Sequence, residues 1–266
     1  MWKWCSSIGK SLGGPGDLAR MKAMVLAAGL GTRLRPLTDD RPKALVEVAG
    51  RTMLEITLAR LRAFGIRDVI VNVHHFAEMV VEYLAANNNF GMRIEVSRED
   101  ILLDTGGGLK QAAPFFLDGT ASASEPFLLH NVDILSNFDL GKMLAAHSEE
   151  NALATLAVQK RETSRLLLFD QDSSLRGRQS RGEEVAPHLE TLAFAGIHVI
   201  SPRLLTMMEE QGAFSIITTY LRVAAEGERI YGYRDDGAYW CDLGKPESVA
   251  QAASDIEGGQ IQWHDA

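Results

Sequence analysis

The sequence predicts an α/β fold: a mostly parallel central sheet, helices on both faces and an elaborated C-terminal part. Three observations carry that expectation. Apolar runs of strand length alternate with helix-length runs from residue 22 to about residue 160. Polar or glycine-rich segments follow those apolar runs, at the strand ends where such sheets bind ligands. No linker of distinct composition divides the chain, so residues 21–266 read as one domain.

Taken in order, residues 22–28 (KAMVLAA) form a buried first strand. Residues 53–64 form a helix, because Leu54, Leu58 and Leu61 share a face that excludes Arg60 and Arg62. Gly65 suits the C-terminal end of that helix. DVIVNV (68–73) is a second buried strand, 77–86 a second helix and 92–96 a third strand. A short helix is expected over 108–113, stopped by Pro114. Residues 126–130 form a fourth strand, 140–147 a helix and 152–159 a fifth strand.

Beyond them the pattern loosens. Strands are expected at 165–170, 192–200, 229–234 and 239–243, with helices at 202–210, 216–226 and 246–256. The polar stretch DSSLRGRQSRGEEVAPH is expected to be mobile. Residues 1–20, rich in Ser and Gly, are expected to form a flexible N-terminal extension.

The net charge of -8 argues against a general nucleic-acid binder, so any positive charge that matters must be local. No apolar run approaches the roughly 20 residues that span a bilayer, and no membrane partner is expected. Cys5 and Cys241 are too few for a disulfide framework. They read as free thiols in a reducing cytosol, and a cytoplasmic location is expected.

Cationic charge concentrates in MVLAAGLGTRLRPLTDDRPKALVEVAG, from Met24 to Gly50. Gly29 and Gly31 open the turn, but Leu34 stands where a dinucleotide fingerprint needs its third glycine. The P-loop pattern GxxxxGK[ST] is absent too. One reading is a tight turn with solvated arginines. The other is an anion cradle. Glycines let backbone N–H groups approach an anion closely. Arg33 supplies a planar fork suited to phosphate, and Lys43 a compact point charge. Pro36 and Pro42 stiffen the path between them.

The run LAAGLGTRLRPLTDDRPKAL closely resembles the signature of the sugar-1-phosphate nucleotidyltransferases, G-x-G-T-R-[LM]-x-P-L-T followed by P-K. The resemblance implies a Rossmann-like nucleotidyltransferase fold acting on a nucleoside triphosphate and a sugar 1-phosphate. It implies nucleotide contacts at Leu26, Ala27, Ala28, Gly29, Gly31 and Thr32. It implies catalytic roles for Arg33, at the β- and γ-phosphates, and for Lys43, near the α-phosphate.

Triphosphate chemistry calls for a divalent cation, and magnesium takes one or two protein carboxylates plus phosphate oxygens and water. Asp133 follows an apolar strand in PFLLHNVDIL, and Asp242 lies in AYWCDLGKPESV. Taken singly, either could cap or stabilise a turn. Both contexts resemble family segments, V-x-G-D or N-G-D and W-x-D-x-G-x-P-E, whose aspartates bind magnesium. The resemblance thus implies Asp133 and Asp242 as Mg2+ ligands, with Val132 where glycine is common.

LLDTGGGLKQA (102–112) resembles the family segment that contacts base and sugar. That implies Gly106 and Gly107 against the nucleotide and Asp104 against sugar hydroxyls. A flexible turn opening a helix is the alternative. Asn72 and His74 in VNVHH, and Gly196 in AFAGIHVISP, resemble segments beside the sugar pocket. His74 and His75 are neighbours on a strand, point apart and make a poor metal pair. Many members carry a second lysine in an E-K-P segment. Here Glu183-Glu184-Val185-Ala186-Pro187 has none, leaving Lys160, Arg161 or Arg165 as substitutes.

The compact C-terminal part is similar to the short members of the family. These include N-acetylmuramate 1-phosphate uridylyltransferases and some mannose-1-phosphate guanylyltransferases, and VNVHH favours the former. The implied product is a nucleotide-sugar, with release of pyrophosphate, from a monomer or small homo-oligomer. An alternative of another class is a non-catalytic sugar-nucleotide sensor or regulatory subunit. The presence of Arg33, Lys43, Asp133 and Asp242 argues against it.

Overall fold

The computed structural model describes residues 21–118, 125–180, 182 and 184–261. The expected N-terminal extension, Cys5 and Glu183 lie outside them. Strand β1 (Lys22–Leu26) leads into the glycine loop. A short ribbon, β2 (Glu47–Val48) with β3 (Arg51–Thr52), then precedes α1 (Met53–Ala63). Thr52 caps α1 by accepting the Glu55 N–H at 3.1 Å, and Gly65 follows it with a φ of 87°. Next come β4 (Asp68–Val73), α2 (Ala77–Ala86), β5 (Arg93–Arg98), α3 (Asp104–Gln111) and α4 (Ala113–Leu117). They are followed by β6 (Phe127–Asn131), β7 (Ile134–Ser136), α5 (Leu140–Glu149), β8 (Ala154–Gln159), β9 (Leu166–Phe169) and β10 (Leu175–Arg178). The chain continues through β11 (Glu190–Ile200), α6 (Arg203–Thr206), α7 (Ile216–Ala225), β12 (Ile230–Arg234), β13 (Trp240–Asp242) and α8 (Pro246–Glu257).

The described strands build a nine-stranded sheet along the order β10-β9-β11-β6-β1-β4-β5, with β8 between β11 and β12. Strands β6, β1, β4 and β5 run parallel, as does the β8–β12 pair. β11 runs antiparallel to β6, β8 and β9, and this is the elaborated C-terminal part. It pairs β9 through Glu190–Ala193 and β6 through Ile197–Ile200. Gly196 sits between those stretches with a φ of 78°, where a side chain would be strained.

Alternation along the strands puts a core on each face. Ala23, Val25, Val69, Val71 and Leu128 pack with Leu54, Leu58 and Leu61 of α1, Leu84 of α2, Met143 of α5 and Val249 of α8. Met24, Ile70 and Leu129 turn the other way, onto Leu109 of α3, Phe116 of α4, Leu204 of α6 and Tyr220 of α7. Helices therefore cover both faces, and the rim at the carboxyl ends of the parallel strands stays open to carry the site.

The helix expected over 202–210 is cut to Arg203–Thr206, and four further local expectations change. Helix α3 starts at Asp104 rather than 108, because the Gly106 and Gly107 N–H groups both donate to the Phe214 carbonyl, at 2.9 and 3.3 Å. Pro114 opens α4 rather than stopping a helix, where its missing N–H costs nothing. Part of the polar stretch expected to be mobile is strand β10, anchored by buried Leu175 and its ladder to β9. Arg60, placed off the apolar face, is buried at 5% exposure.

Three histidines are folded into the interior. Burial pushes His198 down from 6.5 to about 3, with His130 adding to the effect. Burial also pushes His130 to about 3, helped by the Arg60 cation, and His147 to about 4. All three stay neutral in the fold while the unfolded chain protonates near 6.5. The unfolded state then binds more protons as pH falls below that value, so stability present above it is lost on acidification. Each histidine removes about 1.4 kcal/mol per pH unit across that window. Urea unfolding should therefore give a lower midpoint near about pH 5 than near about pH 7; equal midpoints would show that these imidazoles are not held neutral.

Candidate active site

The glycine loop begins where β1 ends. Leu26, Ala28 and Gly29 line a cavity of about 440 Å³, and a Cβ at Gly29 would meet open space. The Ala27 N–H is not free for a ligand, since the Asn72 side-chain oxygen accepts it at 2.7 Å. Gly31 takes a φ of 66° and turns the chain into the short helical turn Thr32–Leu34. A Cβ there would come within 2.9 Å of the Thr38 methyl. Leu34 drops fully into the core, which explains an apolar residue where a dinucleotide fingerprint has glycine. Gly31 and Thr32 line neither large cavity, whereas Arg33 reaches into a second one of about 530 Å³.

The two carboxylates come from segments far apart in sequence, Asp133 from the turn between β6 and β7 and Asp242 from the end of β13. β7 and β13 pair antiparallel with Ile134 opposite Asp242, and the Leu243 N–H donates to the Asp133 carbonyl at 2.8 Å. Asp133 and Asp242 therefore open on the same rim, and both line the larger cavity. The Lys43 ammonium donates to Asp133 in a mostly buried ion pair. Arg33 lies 3.9 Å from Asp242, whose other oxygen accepts the Gly244 N–H at 2.9 Å. A Cβ on Gly244 would lie 2.6 Å from the Arg33 guanidinium and 2.7 Å from Asp242. Val132 lies outside the left-handed region, so a side chain fits where glycine is common.

No group of three or more His, Cys, Asp or Glu side chains able to hold a metal occurs among the described residues. Two hard carboxylate donors on one rim, each already facing a cation, still fit magnesium, which completes its shell with phosphate oxygens and water.

The two cavities meet along a shared ridge of Asp104, Thr105, Asn131 and Asp133. Asp104 holds a φ of 58°, and its carboxylate accepts the Thr105 N–H at 2.6 Å. The side-chain oxygen of Asn131 is buried and has no donor among the described residues, so a ligand hydroxyl or N–H could occupy it. Gly196 lines the larger cavity, and a Cβ there would strike Ile134 and Asn131 at 2.8 and 2.9 Å.

Gly106 and Gly107 lie elsewhere. Both are buried inside α3, with their N–H groups taken by Phe214. A Cβ on Gly106 would overlap the Phe214 ring at 2.3 Å, and one on Gly107 the Gly212 carbonyl at 2.5 Å. These glycines serve close packing rather than a ligand cradle. His74 also lines neither cavity; its Nδ1 is 2.8 Å from the Glu99 carbonyl oxygen. Asn72 lines the smaller cavity beside the glycine loop rather than the larger one.

Glu99, Trp240 and Arg178 escaped the sequence reading, whereas Arg161 and Arg165 were among its substitutes for the missing lysine. Glu99 is buried in the smaller cavity wall, accepting Asn72 at 2.6 Å and the Leu103 N–H at 2.9 Å. Trp240, Arg161 and Arg178 line the larger cavity, with Arg165 beside them. Lys160 is not among its lining residues. The Arg161 guanidinium lies 3.5 Å over the Trp240 ring and donates to the Phe194 carbonyl at 2.5 Å. Burial lowers its pKa, and Asp242 opposes that shift. A period of two marks the run after β8, where positions 161, 163, 165 and 167 all line the cavity.

Replacing Asn72 by alanine would leave both the Ala27 N–H and the Glu99 carboxylate short of a partner. A loss of about 2–3 kcal/mol in unfolding free energy is expected, read by urea denaturation; a near-neutral effect would show that water replaces the amide.

The chain matches the model of the family described as nucleotidyl transferase over residues 22–259. It is 35% identical over 244 residues to an N-acetylmuramate α-1-phosphate uridylyltransferase of Caulobacter vibrioides, covering 86% of this chain and 94% of that one. It is 30% identical to mannose-1-phosphate guanylyltransferase 1 of Arabidopsis thaliana, covering 85% of this chain but 62% of that longer protein. In structure it superposes on a putative glucose-1-phosphate thymidylyltransferase of Bacillus anthracis with a TM-score of 0.76 at 17% identity, over 91% of this chain and 97% of the other. That likeness bears on the fold alone. A family match across nearly all the described residues, together with a relative above 30% identity, makes this chain a member of the nucleotidyl transferase family.

Proposed function

We propose that this chain joins UTP to N-acetylmuramate 1-phosphate, giving the nucleotide-sugar and pyrophosphate. The observation that carries the reading is the convergence of Arg33, Lys43, Asp133 and Asp242 on one rim between two cavities. The smaller cavity, beside the glycine loop, is assigned to the nucleotide. The larger one, with Gly196 and the arginines, is assigned to the sugar phosphate. The choice of sugar is supported by the relative covered over 94% of its length; the guanylyltransferase match covers 62% of its protein.

In this reading the sugar phosphate oxygen attacks the α-phosphorus in line, and pyrophosphate leaves. The attacking phosphate is already anionic near neutral pH, so no general base is needed. His198, the imidazole that lines the larger cavity, is held neutral by burial with its Nδ1 2.8 Å from the Tyr220 hydroxyl, which suits it to structure rather than proton transfer. Lys43 would stabilise the α-phosphate as charge shifts there, and Arg33 would hold the departing pyrophosphate. Arg161, fixed against Trp240, would take the sugar phosphate in place of the missing lysine. Asp133 and Asp242 would hold magnesium, which supplies charge neutralisation on the phosphates when bound. Without substrate, Lys43 and Arg33 neutralise these same carboxylates, so the rim is preorganised at modest electrostatic cost.

Pyrophosphate release should be measured with magnesium, a panel of nucleoside triphosphates and several sugar 1-phosphates. UTP with N-acetylmuramate 1-phosphate should give the highest kcat/KM. A preference for GTP with mannose 1-phosphate would favour the guanylyltransferase alternative, and binding without turnover a sensor.

Asp242→Asn keeps an oxygen for the Gly244 N–H but loses the charge. Turnover should fall about 100-fold or more with Tm shifted by less than about 2–4 °C. Normal turnover would remove Asp242 from the reacting centre.

A further inference from the structure

Arg165 and Arg178 stand out because their charge is left uncompensated. In the β9–β10 ladder Arg178 lies opposite Leu167, and Arg165, immediately before β9, is two residues from Leu167. All three line the larger cavity. Two like charges lining one cavity repel each other. Neither guanidinium has an acidic partner among the described residues. Nearby arginines behave otherwise: Arg176 pairs with Asp170 at 2.6 Å, and Arg234 with Glu190 at 2.8 Å. The unpaired couple therefore faces the cavity, while its neighbours are neutralised.

The phosphate of the sugar does not account for this pair. Arg161, assigned to it above, already interacts with Asp242 at the reacting rim. β9 is separated from β6, whose end leads to Asp133, by β11. That places Arg165 two ladder spacings, roughly 10 Å, across the sheet from the rim, and Arg178 on β10 three spacings, roughly 14 Å. A group held there sits on the far side of a sugar ring whose phosphate is at Asp133 and Asp242. Leu167, between the two arginines, and Phe194 add apolar wall at the same place.

Resting on the function proposed above, we propose that Arg165 and Arg178 recognise a carboxylate on the sugar itself, making the site selective for acidic sugar 1-phosphates. The lactyl ether of N-acetylmuramate offers such a carboxylate, with a methyl group that Leu167 and Phe194 would cover. A paired guanidinium fork is suited to a planar carboxylate.

The test compares N-acetylmuramate 1-phosphate with N-acetylglucosamine 1-phosphate, which lacks only the lactyl group. Both are assayed with UTP on the wild-type chain, Arg165→Gln, Arg178→Gln and the double variant. The ratio of kcat/KM values, acidic over neutral, should fall about 10- to 100-fold in the double variant, with part of the loss in each single variant. A ratio within about twofold of wild type would overturn the proposal, including the case where both sugars suffer equally. Calorimetric binding of the same two sugar phosphates gives the comparison without chemistry. If the wild-type chain turns over neither sugar, the proposed reaction fails, yet the binding ratio still decides the role of the two arginines.

Discussion

The pairing of β7 with β13 is the constraint on which the site depends. Each strand is only three residues long, so neither could stand alone. Their ladder, extended by the Leu243 N–H on the Asp133 carbonyl, brings together two acidic residues from distant parts of the chain. Two carboxylates on one rim would repel and destabilise the fold unless cations met them. Lys43 and Arg33 supply those cations from the loop after β1. In the function proposed above, the same four charges that hold the rim together in the free protein are those that a metal-bound polyphosphate would engage.

The ribbon needs support from beneath, and Arg60 gives it. Its guanidinium donates to the Ser136 hydroxyl at 2.7 Å and to the Phe138 carbonyl at 2.6 Å, and lies 3.3 Å from His130. Burial lowers its pKa to about 10, with Asp139 opposing, so it stays charged at neutral pH. Two neutral oxygens take its terminal nitrogens while its Nε is buried without a partner among the described residues, and a buried cation held this way is costly to disturb. It ties α1 to β7, and through β7 it fixes Asp133 and Asp242 relative to the glycine loop.

Glycine is used in two different ways around the site. Gly29 leaves space beside a cavity. Gly106, Gly107 and Gly108 instead let α3 press against the 212–214 segment and the Asn72–Glu99 pair, where a methyl group would clash at 2.3–2.9 Å. The close approach positions Asp104 and Thr105 on the ridge between the cavities. Their contribution to a ligand site is therefore indirect, through the helix they allow.

The sequence by itself determined the alternation of strands and helices, the buried β1, β4 and β6, and the loop holding Arg33 and Lys43, because period and local turn chemistry are properties of neighbouring residues. It also marked Asp133 and Asp242 by their contexts. Only the tertiary structure decided that these aspartates share a rim. It alone showed that Gly106 and Gly107 face Phe214, that Arg60 and Glu99 are buried, and that Arg165 and Arg178 line one cavity. Those facts follow from long-range strand pairing and helix packing. A ladder of three residues has no period to read, and a glycine looks the same in sequence whether a ligand or a ring approaches it.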